Sequence, residues 1–177
     1  MAEVYWAARD LASSPVGNHQ YIVIMLNDGE TLPGIQTQQE NGKNFVTLGG
    51  HVSGSIFSGG SLVYIGNQRD DVIAVKESLN SSLRGYFSDF DLEKHRVTPP
   101  SSGDRALADQ IKGLAEKYAV NTRDNPVSYG LFSQNCSTWV NTIMKIVGIA
   151  ESERARLGDF RGVDRGQNNL LDENLFK

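Results

Sequence analysis

The fold reading turns on the stretch Tyr129-Gly130-Leu131-Phe132-Ser133-Gln134-Asn135-Cys136-Ser137-Thr138-Trp139-Val140. A short apolar lead-in is followed by Asn135, and from Ser137 to Val147 the apolar residues Trp139, Val140, Ile143, Met144 and Val147 recur at the spacing of one helical face. Gly148 then stands where glycine favours a left-handed C-terminal cap. This pattern predicts a helix with Cys136 in its first turn. There the first backbone N–H groups have no carbonyl acceptor within the helix, and the macrodipole places partial positive charge. Such a position favours a thiolate and can also receive an oxyanion. The plain alternative is that Cys136 is a small buried hydrophobe, the usual fate of a free cysteine.

A thiolate nucleophile needs a general base and acid. Working upstream, His19 opens the run Gln20 to Leu26 (QYIVIML), whose β-branched and aromatic content and closing Asn27-Asp28-Gly29 turn predict a strand. The first half of the chain, to about Val75, reads as strands. They are expected at Leu32 to Gln38, at Asn44 to Leu48 after the Glu40-Asn41-Gly42-Lys43 turn, at Ser61 to Gly66 and at Asp71 to Val75. His51 to Gly60, rich in Gly and Ser, reads as a mobile or bulged connection. The period changes in the second half. A short helix is expected around Lys76 to Phe87, and Pro99-Pro100-Ser101-Ser102-Gly103 is a breaker. Asp104 to Val120 is a helix with Ala108, Ile111, Leu114, Ala115 and Tyr118 on its apolar face and Ser102 or Gly103 as its cap. From Glu151 the chain is expected to hold one short helix and then lose order. The domain expectation is a single unit over 1–177, mainly strands over 1–75, mainly helices over 100–150 and a tail over 151–177.

Cysteine at a helix start facing histidine on a sheet is a papain-type arrangement, here with the histidine first. Gly17-Asn18-His19-Gln20-Tyr21-Ile22-Val23-Ile24 resembles the histidine strand of the circularly permuted branch of the NlpC-type papain-fold peptidases and amidases. Tyr129-x-Leu131-x-x-x-Asn135-Cys136-Ser137-x-Trp139-Val140 resembles that family's cysteine helix. Relatives by fold include lecithin retinol acyltransferase-like enzymes and some contact-delivered bacterial effectors. Together the two motifs cover about 20 residues. The resemblance implies an α+β papain-like fold in permuted order, an antiparallel sheet packed against the cysteine helix and the Asp104 to Val120 helix. It implies Cys136 as nucleophile, His19 as base, and a polar third residue that orients the imidazole. His51 is the first candidate for that third role, Gln38 and Asp10 its competitors, and a glycine-flanked loop histidine with no role the plain reading of His51. His95, in the charged run Asp91 to Arg96, reads as solvated surface.

The reaction implied is hydrolysis of an amide in a peptide or peptidoglycan through a thioester, without metal or organic cofactor. A bacterial effector toxin, with an immunity protein and a secretion apparatus as partners, suits that chemistry. The competing classes are an acyltransferase or lipid hydrolase, a protease acting on a host protein, and a non-enzymatic effector that keeps the papain-like shape. Gly49-Gly50 and Gly59-Gly60 are not phosphate loops, since no Lys-Ser/Thr and helix follow them. Three scattered histidines and one cysteine do not suggest a dedicated catalytic zinc site, although two histidines with a carboxylate stay open. Trp139 reads as core, with a substrate groove as the other option.

Composition limits the remaining classes. The 177 residues are 39% hydrophobic and 21% charged, those of a globular chain, and the single cysteine forbids an internal disulfide or a multi-cysteine cage. Seventeen basic residues against 21 acidic ones give a net charge of −4, which does not suggest a nucleic-acid partner. The most apolar window, Tyr21 to Leu26, is too short to cross a bilayer, and the N-terminus lacks the pattern of a secretory signal. The expectation is therefore a cytoplasmic protein in the producing cell, with no transmembrane segment and with export by a signal-independent route left open.

Overall fold

Strand β1 (Glu3–Asp10) pairs antiparallel with β2 (Asn18–Leu26), and β2 pairs with β4 (Lys43–Ser53). The computed structural model describes residues 2–10, 18–54, 60–83, 92–100, 103–130, 133–160 and 169–177. Among these residues the chain is α+β, with an open antiparallel sheet and four helices. β3 (Gln38–Glu40), β5 (Ser61–Gly66), β6 (Leu92–Arg96) and β7 (Val127–Ser128) complete a sheet of order β6-β1-β2-β4-β5-β7, with β3 on β4. The helices are α1 (Arg69–Leu79), α2 (Gly103–Asn121), α3 (Cys136–Ile146) and α4 (Glu151–Leu157). No helix among the described residues is long and apolar enough to cross a membrane.

Alternation along the strands divides the apolar residues between two faces. Val4, Trp6, Ile22, Ile24, Val46, Leu48 and Leu62 join Leu107, Ile111 and Tyr118 of α2 and Trp139, Val140 and Ile143 of α3 in the larger core. Ala7, Tyr21, Val23 and Phe45 point the other way, against Val75 and Val72 of α1. The sheet is thus sandwiched, with α2 and α3 on one face and α1 on the other. The Gly49-Gly50 pair serves both faces. A Cβ on Gly50 would lie 2.8 Å from Trp139 Cγ, so glycine lets α3 settle directly on β4.

Several expectations hold. The hairpin at Glu40-Asn41-Gly42-Lys43 forms with φ of 47° at Asn41 and 70° at Gly42, the turn that Asn-Gly favours. The helix α3 is capped by Asn135, whose Oδ1 accepts from Thr138 N–H at 3.1 Å, and Gly148 follows it with φ of 89°.

Others are corrected. Leu32 to Gln38 is not a strand but mostly turn: Leu32-Pro33-Gly34-Ile35 folds with Ile35 N–H donating to Leu32 C=O at 3.3 Å and φ of 80° at Gly34. Asp71 to Val75 is not a strand either; it lies in α1. Gln68 caps that helix, its side chain accepting from the N–H groups of Asp70 and Asp71. The helix expected around Lys76 to Phe87 therefore starts earlier and ends at Leu79, with residues 84–87 outside the described set. His95 is not simply solvated: it lies in β6, stacks on Phe160 with centroids 4.7 Å apart, and its Nδ1 lies 2.7 Å from the Leu157 carbonyl. Of the tail after α4, residues 161–168 lie outside the described residues, while Leu171 and Phe176 beyond them pack into the core instead of losing order. A 3₁₀ turn at Glu173–Phe176 buries Phe176 against Tyr118, because one terminal aromatic removes enough apolar surface from water to hold a short segment. Ser102, one of the two caps expected for α2, lies outside the described residues; Gly103 begins that helix. Trp139 is fully buried and serves the core rather than a groove.

Candidate functional site

Register alone assembles the first part of the site. Arg9 of β1 pairs with His19 of β2, and the β2–β4 pairing, continued from Ile22↔Leu48 toward the strand start, sets His19 opposite His51. Residues directly opposite share a face, so Arg9, His19 and His51 form a row across three strands. The two imidazoles are 4.4 Å apart between centroids, and Tyr21, two residues along β2, stacks on His19 at 5.6 Å. His51 is not in a loop after a strand, as expected, but inside β4. Gly49 makes room for its ring, since a Cβ there would lie 2.6 Å from His51 Nε2.

Helix α1 supplies the charge that this row needs. Its first turn sets the fully buried Asp71 over the three side chains, at the end of the helix that favours a carboxylate. Arg9 Nε donates to Asp71 Oδ1 at 2.7 Å. Oδ2, the second oxygen, lies 3.2 Å from His51 Nε2 and 3.5 Å from His19 Nε2. These are ion-pair distances; His19 Nε2, His51 Nε2 and Asp71 Oδ2 are all buried, and none meets hydrogen-bond geometry with a partner among the described residues.

Cys136 enters from the α3 side. His19 occupies the second position of β2, at an end of the sheet, and the thiol lies within hydrogen-bonding reach of it and of Tyr129. Cys136 and His19 are each only 6% exposed, so water competes little for the pair.

Electrostatics separates the two histidines. Burial disfavours a charged His19, but Asp71 and Cys136 outweigh it and push its pKa up to about 9. For His51 burial dominates, with the neighbouring His19 adding to it, and its pKa falls below the ordinary value despite Asp71. Burial opposes the charge on Asp71 as well, yet the two histidines hold its carboxyl well below the usual range. Near neutral pH the cluster therefore pairs a charged His19 with a neutral His51 and an ionised Asp71. Burial, together with Cys136, pushes the Tyr129 phenol far above its ordinary value.

The structure thus brings together three residues singled out from sequence, Cys136, His19 and His51. It leaves the other two away from the imidazole. Gln38 pairs with Phe45, several residues along β4 from His51. Asp10 is exposed at the end of β1 and pairs with Asn18. The group that touches both histidines is Asp71, which the strand reading hid. Two signals point to it: the acidic pair Asp70-Asp71 suits a helix start, and Gly49-Gly50 ahead of His51 marks close packing on both faces of a strand.

Beside this row a cavity of about 300 Å³ is lined by Ala8, Arg9, Asp10, Asn18, Leu92, Glu93 and Phe160. Compared with family models, curated proteins and solved structures, the chain has no match.

Proposed function

We propose that the chain is a thiol hydrolase of papain-like, circularly permuted build that cleaves an amide bond in a peptide or in peptidoglycan. The observation that carries this reading is Cys136 in the first turn of α3, within hydrogen-bonding reach of a His19 whose charged form Asp71 supports. An imidazolium beside the sulfur favours the thiolate in return. The attack forms the Sγ–C bond, and the first-turn N–H groups of α3 stabilise the oxyanion. The C–N bond then breaks as His19 gives its proton to the leaving amine. Water, deprotonated by the now neutral His19, hydrolyses the thioester and restores the pair. Asp71 holds the imidazole, and Arg9 holds Asp71 through its other oxygen. The role of third residue passes from His51 to Asp71 in this mechanism.

The cavity beside Arg9 and Asn18, which neither Cys136 nor His19 lines, carries Arg9, Asp10, Asn18 and Glu93 among its walls, and that polar share suits a peptide better than a lipid chain. An effector delivered into a competing bacterium, with an immunity protein in the producer, is the setting this substrate suits. The test is incubation of the purified protein with isolated peptidoglycan sacculi. Wild type is expected to release cleaved peptide fragments, and Cys136→Ala and His19→Ala are expected to release none. Equal release by wild type and Cys136→Ala would overturn the reading, and cleavage of acyl esters in place of sacculi would move it to the lipid class.

A further inference from the structure

His19, His51 and Asp71 offer two imidazole nitrogens and a carboxylate oxygen that all lie within 4.8 Å of one another. The three atoms converge without hydrogen-bonding each other, and all three residues are at least nine-tenths buried. Buried polar atoms are almost always satisfied, so three converging orphans call for a shared partner. The spacing indicates what kind. Ligands about 2.0–2.1 Å from a tetrahedral ion stand about 3.3 Å apart, whereas octahedral ligands at that bond length stand about 2.9 Å apart. The two histidine–carboxylate separations are 3.2 and 3.5 Å.

We propose that His19 Nε2, His51 Nε2 and Asp71 Oδ2 form a zinc-type divalent cation site, and that its occupation switches off the thiol chemistry of Cys136. The ligand chemistry fits: two imidazoles with one carboxylate suit zinc better than the hard all-oxygen cages that magnesium and calcium take. Arg9 binds the oxygen of Asp71 that faces away from the histidines and so orients Oδ2 toward the ion, a role that carboxylate partners commonly have around metal sites. Gly49 fills the same need for His51, since any larger residue would push its ring off the site. Three protein ligands leave the fourth position to water or another solute.

The switch rests on the hydrolase reading and follows from the bookkeeping of one ring. With Nε2 bound to the metal and Nδ1 carrying the remaining proton, His19 has no lone pair left to accept a proton from Cys136 or from water. Zinc released to a chelator gives the imidazole back.

The test is Zn2+ titration of the chelator-stripped full chain, without a polyhistidine tag, followed by calorimetry. Wild type is expected to bind one equivalent, His51→Ala to bind at least about tenfold more weakly, and Cys136→Ala and His95→Gln to bind like wild type. Bound Zn2+ is expected to slow alkylation of Cys136 and EDTA to restore it. His51→Gln, checked by circular dichroism, replaces His51→Ala if the latter does not fold. No binding by wild type, undiminished binding by the folded His51 variant, loss of binding in Cys136→Ala, or alkylation indifferent to bound zinc would each overturn the proposal. The two readings fail separately. Cleavage of sacculi through Cys136 without zinc binding removes only the metal site, whereas zinc binding with hydrolysis unaffected by Cys136→Ala removes the hydrolase reading and the switch built on it.

Discussion

Asp71→Ala is expected to cost about 3–5 kcal/mol of stability, because it breaks a buried ion pair, that of Asp71 Oδ1 with Arg9 Nε. Arg9 is 5% exposed and Asp71 fully buried, so solvent screens the pair little. The loss should appear in urea denaturation as a large fall in midpoint with little change in slope. Removing both charges tells a different story. Arg9→Met combined with Asp71→Leu is expected to recover most of the loss, since a buried pair replaced by apolar groups of similar volume is often close to neutral. A cost under about 1 kcal/mol for Asp71→Ala alone, the range of an exposed pair, would mean that the cluster is open to water.

Trp139→Ala is expected to cost a similar amount, about 3–5 kcal/mol, for a different reason. The indole is fully buried, stacks on Tyr64 at 5.9 Å, meets Tyr118 edge-on at 6.2 Å and rests on the bare backbone of Gly50. The floor is the backbone of a strand and the described walls include Tyr64, Tyr118 and Phe176, which limits collapse into the space. Cys136 lies one turn before Trp139, so loss of the indole also loosens the seat of the thiol. The expected result is a lowered denaturation midpoint together with reduced alkylation of Cys136 in protein that is still folded. A cost near that of a surface substitution would show that α3 is not anchored through this residue.

The part of the site that sequence reveals is the part built from local signals. Asn135 before Cys136 and Gly148 after Val147 mark the two ends of a helix whose apolar stripe is regular, so Cys136 can be placed in the first turn without coordinates. His19 is legible because the strand it opens is continuous and ends in a turn. Asp71 is not legible in the same way. The run Asp71-Val72-Ile73-Ala74-Val75 is rich in β-branched residues, and the cap is Gln68, a residue not preferred at that position. What makes the run helical is tertiary: Val72 and Val75 pack on the sheet, and Asp71 is held by Arg9. His51 fails for a related reason. Two glycines and a serine-rich sequel read as a loop, but in a sheet covered on both faces glycine is what allows a ring and a helix to approach the same strand.

The proposed chemistry requires that His19 keep Cys136 a thiolate. It is tested most directly by the rate of iodoacetamide alkylation of folded, chelator-treated protein at about pH 5.5, some three units below the ordinary cysteine value. There an unassisted thiol is almost wholly protonated. The lower nucleophilicity of a stabilised thiolate offsets part of its greater abundance. Wild type is expected to react roughly tenfold or more faster than His19→Ala. Equal rates for the two proteins, both folded, would contradict it.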